Sequence, residues 1–358
     1  MKKNISAFTL TMLCVFAPVI ALAANTADGI ITMHFDLSAQ NANEVTQLWI
    51  PYPLSDRDQL IDNITIAGDY DESAVYSDQK YSTPILYARW KKNSPSRKLT
   101  LSFHVTRREV RRRDFPDKEG AWNSNDFALY LAPTSLGPID GQVKVLADQI
   151  TRGKKTVLAR AKAIYDWTCE HMYRDPKTSG CGKGAVCSLL ARPGGKCTDI
   201  HSVFVALCRA AGVPAREIFG IRMGKKARQD ITTWQHCWAE FYLPGYDWVP
   251  VDPADVRKKM LKERLQLGDA KTKAYRDYFW GGWDQYRVKL AVGRDLVLNP
   301  PQYGAPINTF GYPFAQIGTK TVDWLNPKDF SYRFSFQQKK LSTEKNQPTD
   351  DTDAPGSL

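Results

Sequence analysis

Apolar and polar residues alternate along the first third of the chain with the two-residue period of half-buried β-strands. The clearest case runs from Leu99 to Thr106, where every second residue is apolar. Other short apolar runs, such as Leu48–Ile50, end at prolines, and turn-forming clusters separate them. Several short strands divided by turns are typical of two packed antiparallel sheets. We therefore predict an N-terminal β-sandwich over residues 24–137.

The hydrophobic period changes to that of helices after the sandwich. Two helices are predicted between Gln142 and about Tyr173, and a third from about Cys197 to Ala211. Strands are predicted at Glu217–Arg222, Cys237–Leu243 and Trp248–Val251. Helices followed by neighbouring strands predict an α+β domain over residues 138–256.

The two ends of the chain differ from its middle. Two lysines precede an apolar run that ends in Ala21-Leu22-Ala23, small residues at the positions that a signal peptidase reads. We interpret residues 1–23 as a signal peptide cleaved near Ala23, which predicts export to the periplasm or cell envelope of a bacterium. A transmembrane anchor is the alternative. Residues 257–338 are predicted to be an aromatic extension packed on the α+β domain, and residues 339–358 a disordered tail.

Composition and charge exclude some classes of protein. The 358 residues carry 49 Lys plus Arg against 38 Asp plus Glu, and 43% of them are hydrophobic. These values exclude a mostly disordered chain, a collagen and a multi-span membrane protein. The net charge of +11 indicates anionic surroundings at most, and no nucleic acid is expected as the partner of an exported protein. One basic run is interpreted either as a solvated strand end or as a site that attracts an anionic cell-envelope polymer. It consists of Arg107, Arg108, Arg111, Arg112 and Arg113.

Three side chains are of the types that thiol catalysis requires. Cys197 follows two glycines at the start of a predicted helix, His236 lies in a predicted strand, and Asp252 closes the next strand. A thiol at a helix N-terminus faces the positive end of the helix dipole, which favours the thiolate. An imidazole can take the thiol proton, and a carboxylate can orient the imidazole. Cys197, His236 and Asp252 are therefore the candidate catalytic residues.

The geometry of these candidates depends on a strand register. The strands of His236 and Asp252 are joined by a turn at residues 244–247 and should be antiparallel neighbours. With that loop Asp252 pairs with Ala239, three positions from His236, so a bulge or a longer loop is needed. The glycines before Cys197, Gly194 and Gly195, are interpreted as room for a substrate.

The cysteines other than Cys197 lead to no further prediction. Beyond the signal peptide and Cys197 the chain has Cys169, Cys181, Cys187, Cys208 and Cys237. Their pairing stays open, because spacing alone does not determine disulfide connectivity. A zinc site from Cys181, Cys187, Cys197 and His201 is not expected, since these spacings fit no common structural site. We predict no cofactor and no metal.

Four segments carry a resemblance to a known family: residues 193–199 (PGGKCTD), 211–216 (AGVPAR), 236–240 (HCWAE) and 248–253 (WVPVDP). They closely resemble the core of the transglutaminase-like superfamily over about residues 140–256. The resemblance implies a papain-like fold, with Cys197 as nucleophile, His236 as base and acid, and Asp252 as the orienting carboxylate. The N-terminal sandwich also resembles the domain that often precedes this core in exported bacterial members. Thr198 departs from the cross-linking members, which typically have Trp after the nucleophile.

These features predict an exported thiol enzyme that acts on an amide or peptide bond of a peptide or protein through a thioester. Hydrolysis by a cysteine peptidase or amidase and acyl transfer to an amine share the first half-reaction, and we favour hydrolysis over cross-linking. The alternative is a non-catalytic module that uses the same fold to bind the cell envelope. The oligomeric state is left open.

Overall fold

The structure is a computed structural model and describes residues 25–339. The predicted signal peptide and all but the first residue of the predicted tail lie outside these residues. Among the residues described, no helix combines the length and the apolar character needed to cross a bilayer.

The described residues begin with six strands. They are β1 (Thr26–Asp36), β2 (Thr46–Pro51), β3 (Gln59–Gly68), β4 (Glu72–Ser77), β5 (Pro84–Trp90) and β6 (Lys98–Arg108). Of these, β1 and β6 alternate most regularly between a buried and a more exposed face. In β6 the four alternating apolar side chains, from Leu99 to Val105, are at most 1% exposed. The period of two in the sequence therefore identified the buried face of this strand correctly.

The middle of the chain is helical and then returns to strands. Its elements are β7 (Val110–Arg111), a 3₁₀ turn (Ser124–Phe127), α1 (Ala128–Leu131), α2 (Gly141–Ile150), α3 (Val157–His171), β8 (Tyr173–Arg174), α4 (Val186–Ala191), β9 (Gly194–Gly195), α5 (Cys197–Ala210), β10 (Ala215–Arg222), β11 (Arg228–Asp230), β12 (Gln235–Leu243) and β13 (Asp247–Val251). The predicted helix from Cys197 and the three predicted strands are all present.

The last third contributes α6 (Pro253–Glu263), α7 (Ala270–Phe279), β14 (Gly282–Trp283), β15 (Arg287–Val292), β16 (Phe314–Ile317), β17 (Lys320–Thr321) and β18 (Ser331–Gln338). It does not form a separate layer on the α+β domain. Its first half packs there, and β15 extends the sheet of that domain, whose order is β13-β12-β10-β15.

The second half of the extension completes the N-terminal sandwich. One sheet has the order β11-β18-β1-β6-β3, and the other has the order β17-β16-β2-β5-β4. The prediction that residues 257–338 pack on the α+β domain is therefore wrong for residues 314–338. The physical reason is that β1 and β2 would otherwise present unpaired backbone groups at open sheet edges. The two sheets share one apolar core, in which Met33 and Phe103 of one sheet are buried with Leu48 and Ala315 of the other.

Helix α5 is the centre of the α+β domain. All 14 of its residues are buried. It lies on the sheet through contacts with β10 and β12, and α2, α3, α4 and α6 pack around it. A helix enclosed on every side is held in one position. The residues at its N-terminus are therefore fixed relative to the ends of β12 and β13.

The basic run lies at the seam between the sandwich and the α+β domain. Arg107 and Arg112 are buried; Arg107 donates hydrogen bonds to the carbonyls of Asp58 and Arg287, and Arg112 pairs with the Asp58 carboxylate at 2.6 Å. The prediction of a solvated strand end is wrong for these two arginines, because buried guanidinium groups require partners. The other three are more exposed and donate to Asp58, Glu109 and the Tyr278 carbonyl. Attraction of an anionic envelope polymer stays a prediction.

Candidate active site

Cys197 is the first residue of α5, as the sequence predicted. The turn before it is closed by Asp199, whose carboxylate accepts hydrogen bonds from the N–H groups of Lys196 (3.0 Å) and Gly184 (2.8 Å). A negative charge in the first turn also faces the positive end of the helix dipole. Asp199 therefore shapes and stabilises the start of the helix that carries the thiol.

The two glycines before Cys197 make room for side chains of the protein itself. A Cβ atom on Gly195 would lie 2.4 Å from Cβ of Asp199, and one on Gly194 would lie 2.4 Å from the ring of Tyr173. Both separations are shorter than van der Waals contact. Their interpretation as space for a substrate is therefore replaced by a packing requirement.

His236 and Asp252 meet across the ends of two adjacent strands. His236 is the second residue of β12, and Asp252 follows β13 as the N-cap of α6. The observed register pairs Ala239 with Val251, which places Asp252 diagonally from His236. Diagonal neighbours remain within reach of side chains, and the Nε2–Oδ2 distance is 2.8 Å. The expected bulge or longer loop is not required.

The carboxylate of Asp252 receives two donors on each oxygen. Oδ2 accepts from Nε2 of His236 and Nη1 of Arg287, while Oδ1 accepts from Nε2 of His201 (3.2 Å) and the N–H of Asp255 (2.7 Å). A carboxylate offers about four lone-pair sites, so Asp252 is fully satisfied. Nη1 of Arg287 also lies 3.1 Å from Nε2 of His236. Both nitrogens donate to the same oxygen, and this sharing explains their proximity.

Asp252 keeps its negative charge although it is buried. Burial disfavours the charge, but Arg287, His236 and His201 outweigh it and hold the pKa of Asp252 well below its usual range. Arg287 is fully buried and also pairs with Asp255 at 2.7 Å. Burial opposes the charge of Arg287 too, but the carboxylates around it raise its pKa. The buried charges therefore neutralise one another within hydrogen-bond distance.

A second cysteine–histidine pair lies on the other side of Asp252. His201 follows Cys197 by one helical turn, and Cys237 is the neighbour of His236 on β12. Sγ of Cys237 lies 3.5 Å from Nδ1 of His201. Cys237 is also one of the groups that lower the pKa of Cys197. These groups form a ring of five side chains: Cys197, His236, Asp252, His201 and Cys237.

The thiol of Cys197 is acidic although it is only 3% exposed. Hydrogen bonds from Cys181, Cys237 and His236 outweigh the effect of burial and hold the pKa of Cys197 well below its usual range. Because Nε2 of His236 faces Asp252, Nδ1 is the ring nitrogen left for Cys197. The arrangement favours a thiolate at Cys197 beside the imidazole of His236, whose Nε2 is hydrogen-bonded to the carboxylate of Asp252.

The segment that precedes β16 covers the thiols. Tyr312 donates a hydrogen bond to Sγ of Cys181 at 3.2 Å. Together with Thr309 and Gly311 it closes a cavity of about 10 Å³ that also borders His236 and Cys237. Such a cavity has room for about one water molecule. This segment therefore lies over the neighbours of Cys197, which is itself only 3% exposed.

One cluster of possible metal ligands coincides with this site. Within the described part of the chain, His236, Asp252 and Asp255 bring three ligand atoms within 4.8 Å of one another. Arg287 is paired with both carboxylates. Since a guanidinium already neutralises them, this group fits an ion-pair network rather than a metal centre.

The structure brings together all three residues that the sequence singled out and adds five more. His201 and Cys237 could have been found from the sequence. His201 follows Cys197 by four residues on a helix, and Cys237 adjoins His236. Arg287 and Tyr312 lie in the extension, where the only signal was a charged residue that opens the apolar strand β15. Cys181 lies in a glycine-rich loop that has no hydrophobic period.

A buried thiol at the start of a central helix, with an imidazole and a carboxylate on neighbouring strands, defines an α+β fold of the papain-like kind. The model of the transglutaminase-like superfamily matches residues 144–253, which include Cys197, His236 and Asp252. The chain belongs to this superfamily, as the sequence motifs indicated. It is a family of thiol enzymes.

Three known proteins are similar to this chain over most of its length. A Haemophilus influenzae protein named only as uncharacterized is 36% identical over 340 residues, covering 87% of this chain and 90% of its own. A solved structure from Cytophaga hutchinsonii, described as a candidate cysteine protease, covers 88% of this chain and 99% of its own, with a TM-score of 0.50 and 18% identity. That likeness shows the fold alone.

The periplasmic domain of TgpA from Pseudomonas aeruginosa aligns with 68% of this chain and 94% of its own, at 14% identity and a TM-score of 0.35. An overlap this low says nothing about activity or cellular location.

Proposed function

We propose that the protein is an exported thiol enzyme that cleaves amide or peptide bonds through Cys197, His236 and Asp252. The observation that carries this proposal is the hydrogen bond of His236 to the charged Asp252, beside a Cys197 thiol whose pKa His236 helps to lower. A nucleophile, a base and a group that orients the base are the parts that acyl transfer requires. Each has a position that suits its role.

The reaction begins when the Cys197 thiolate attacks the carbonyl carbon of the substrate. The N–H of Thr198 already donates to the carbonyl of Cys181 at 2.9 Å, so the N–H of Cys197 is the donor available for the oxyanion. His236 then gives a proton to the leaving amine, and the carbon–nitrogen bond breaks to leave a thioester. Water, or a second amine, attacks the thioester and regenerates the thiolate.

Hydrolysis is the outcome we favour over cross-linking. The support is indirect: Thr198 stands where cross-linking members of the superfamily typically have Trp, and the small cavity beside Cys237 leaves space for about one water molecule. Export rests on the pattern of residues 1–23. A peptide or protein amide is the proposed substrate, and an anionic envelope polymer is a further proposed partner.

The test is an activity screen on a peptide library, read by intact mass with and without an added primary amine. Cleavage or deamidation that is lost in Cys197→Ala and kept in Cys208→Ala supports the proposal, because Cys208 is a buried core thiol of the same helix. Products that carry the added amine would identify a transferase instead.

A non-catalytic envelope-binding module is the second candidate. The low exposure of Cys197, 3%, favours it, because a substrate carbonyl must reach the sulfur. Equally slow alkylation of Cys197 and Cys208, with no Cys197-dependent product from any peptide, would support this alternative.

A further inference from the structure

Three thiols meet at the start of α5, and the proposed mechanism uses only one of them. Both neighbours of Cys197 contact Thr198, the next residue: the carbonyl of Cys181 accepts its N–H at 2.9 Å, and Sγ of Cys237 lies 3.5 Å from its hydroxyl. Both thiols also act on the pKa of Cys197. Cys237 already belongs to the ring around Asp252, with His201 as its partner. Cys181 is thus a thiol in contact with Cys197 that neither the catalytic chain nor the ring employs.

Cys181 is held beside Cys197 by its own backbone. Its carbonyl accepts the N–H of Thr198, the residue that follows Cys197, at 2.9 Å. Its Sγ lies 3.2 Å from the hydroxyl of Tyr312 and 3.6 Å from the carbonyl of Gln235. The loop between β8 and α4 is therefore fastened to the first turn of α5, and Cys181 borders the same cavity as Thr198 and His236.

Cys237 and Cys181 differ in how far their surroundings allow the sulfur to move. Cys237 lies within β12, where it pairs with Phe219 of β10, and its sulfur contacts His201 and Thr198. Cys181 lies in a loop outside the helices and strands, between Gly180 and Gly182, both at positive φ. A disulfide requires a sulfur–sulfur separation of about 2.05 Å, so one partner must shift. The loop residue can shift without breaking a sheet.

We propose that Cys181 is the resolving thiol of a peroxide-sensitive switch, in which oxidation of Cys197 ends in a Cys181–Cys197 disulfide. The proposal rests on the reactive thiolate assigned to Cys197 in the proposed function. It adds a modification of the site and a reversible off state that the catalytic roles do not require.

The oxidant is hydrogen peroxide, and the first step takes place at the Cys197 sulfur. The thiolate attacks one peroxide oxygen; a sulfur–oxygen bond forms, the oxygen–oxygen bond breaks, and the second oxygen leaves as hydroxide, which becomes water on protonation. The sulfur loses two electrons and becomes a sulfenic acid. A molecule of two heavy atoms needs far less room beside the little-exposed Cys197 than a peptide does.

The second step consumes the sulfenic acid. The Cys181 sulfur attacks the Cys197 sulfur; a sulfur–sulfur bond forms, the sulfur–oxygen bond breaks, and the hydroxyl leaves as water with the proton of the Cys181 thiol. A dithiol such as dithiothreitol returns both residues to thiols and becomes a cyclic disulfide. Burial and the hydrogen bond to Cys197 raise the pKa of Cys181, so Cys197 is the thiol that reacts first.

The experiment treats purified protein with hydrogen peroxide, blocks remaining thiols by alkylation and maps the products by mass. The background carries Cys187→Ser, because Cys187 is the exposed cysteine and would form disulfides between molecules. We expect the mass to fall by two hydrogens, a Cys181–Cys197 cross-link, and full reversal by dithiothreitol. Cys181→Ser should instead gain two oxygens at Cys197 as an irreversible sulfinic acid, and Cys208→Ala should behave like the parent chain.

Two results would overturn the switch: a sulfinic acid on Cys197 without a disulfide in the parent chain, or a cross-link to Cys237. The parent chain alone decides both, so a poorly folded Cys181→Ser does not weaken the test. The readout is mass, not activity. A disulfide without any peptidase activity would leave this inference standing and remove the proposed function, and activity without a disulfide would do the reverse.

Discussion

Asp252 has a cysteine–histidine pair on each side, and the two pairs differ in the acidity of their thiols. Cys197 with His236 and Cys237 with His201 are made of the same groups, and each histidine places Nε2 against one oxygen of Asp252. Hydrogen bonds from Cys181, Cys237 and His236 lower the pKa of Cys197, whereas burial and the charge of Cys197 raise the pKa of Cys237.

The difference comes from location rather than from residue type. Cys197 starts a helix, where the dipole and the neighbouring donors favour a negative charge. Cys237 lies inside a paired strand, where it acts as a donor to the thiolate. We infer that only the Cys197 side is a nucleophile, and that the Cys237 side holds the carboxylate and the thiolate in place.

Removing each thiol in turn tests that asymmetry most directly. Cys197→Ala should reduce cleavage of the best peptide substrate by at least about 10³-fold, because no other group can form the thioester. Cys237→Ala should stay within about 10-fold of the parent protein, since it removes one hydrogen bond to the thiolate. Steady-state kinetics on folded variants measure both. Equal losses would mean that the two pairs act as one unit.

Asp252 is the residue that both pairs share, so its loss should affect folding as well as activity. Asp252→Asn leaves Arg287 buried beside a neutral partner, which we expect to lower the free energy of unfolding by about 3–5 kcal/mol at pH 7. Asp247→Asn is the matched control. Asp247 belongs to the adjacent strand, but its ion pair with Arg57 is exposed, so its effect should stay within about 0.5 kcal/mol.

The stability that the charged Asp252 contributes should depend on pH in one direction. The pKa of Asp252 is depressed in the folded protein, so its contribution is fully present above the unfolded value of about 3.9 and is lost as the pH falls below it. The stability difference between the parent protein and Asp252→Asn, measured by urea unfolding, should therefore shrink in acid. A difference that grows in acid would contradict the charged state assigned to Asp252.

His201 tests whether the second pair positions the first. His201→Asn is too short to reach Asp252 and should lower kcat by about 10-fold with little change in KM, because a hydrogen bond to a charged group contributes about 1.5 kcal/mol. His201→Gln, whose amide can reach Oδ1, should recover part of kcat. Equal kcat values for the two variants would indicate a purely structural role.

The candidate site was predictable where its residues carry local patterns. The helix that begins at Cys197 and the strands of His236 and Asp252 follow hydrophobic periods and turn residues. The exact strand pairing did not follow, because one residue more or less in the loop at 244–247 changes every partner. His236 and Asp252 meet diagonally, an arrangement that residue spacing alone did not distinguish from a bulge.

The parts that were not predicted depend on contacts between distant segments. Arg287 reaches Asp252 only because β15 joins the sheet beside β10, and β18 completes the sandwich about 300 residues after β1 begins. Such pairings are decided by open sheet edges and by buried charges that need partners. Neither leaves a periodic signal in the sequence of residues 257–338.

The smallest predicted effect concerns the acidity of Cys197. Cys237→Ala removes one donor, so the pKa of Cys197 should rise and still stay below its usual range, because Cys181 and His236 remain. The thiolate exists above its pKa, so the variant should react with iodoacetamide more slowly on the acid side and equally fast at high pH. The midpoint of the rate–pH curve measures the shift, with Cys208→Ala as the unshifted control. A midpoint that stays in place or moves to lower pH would show that Cys237 does not stabilise the thiolate.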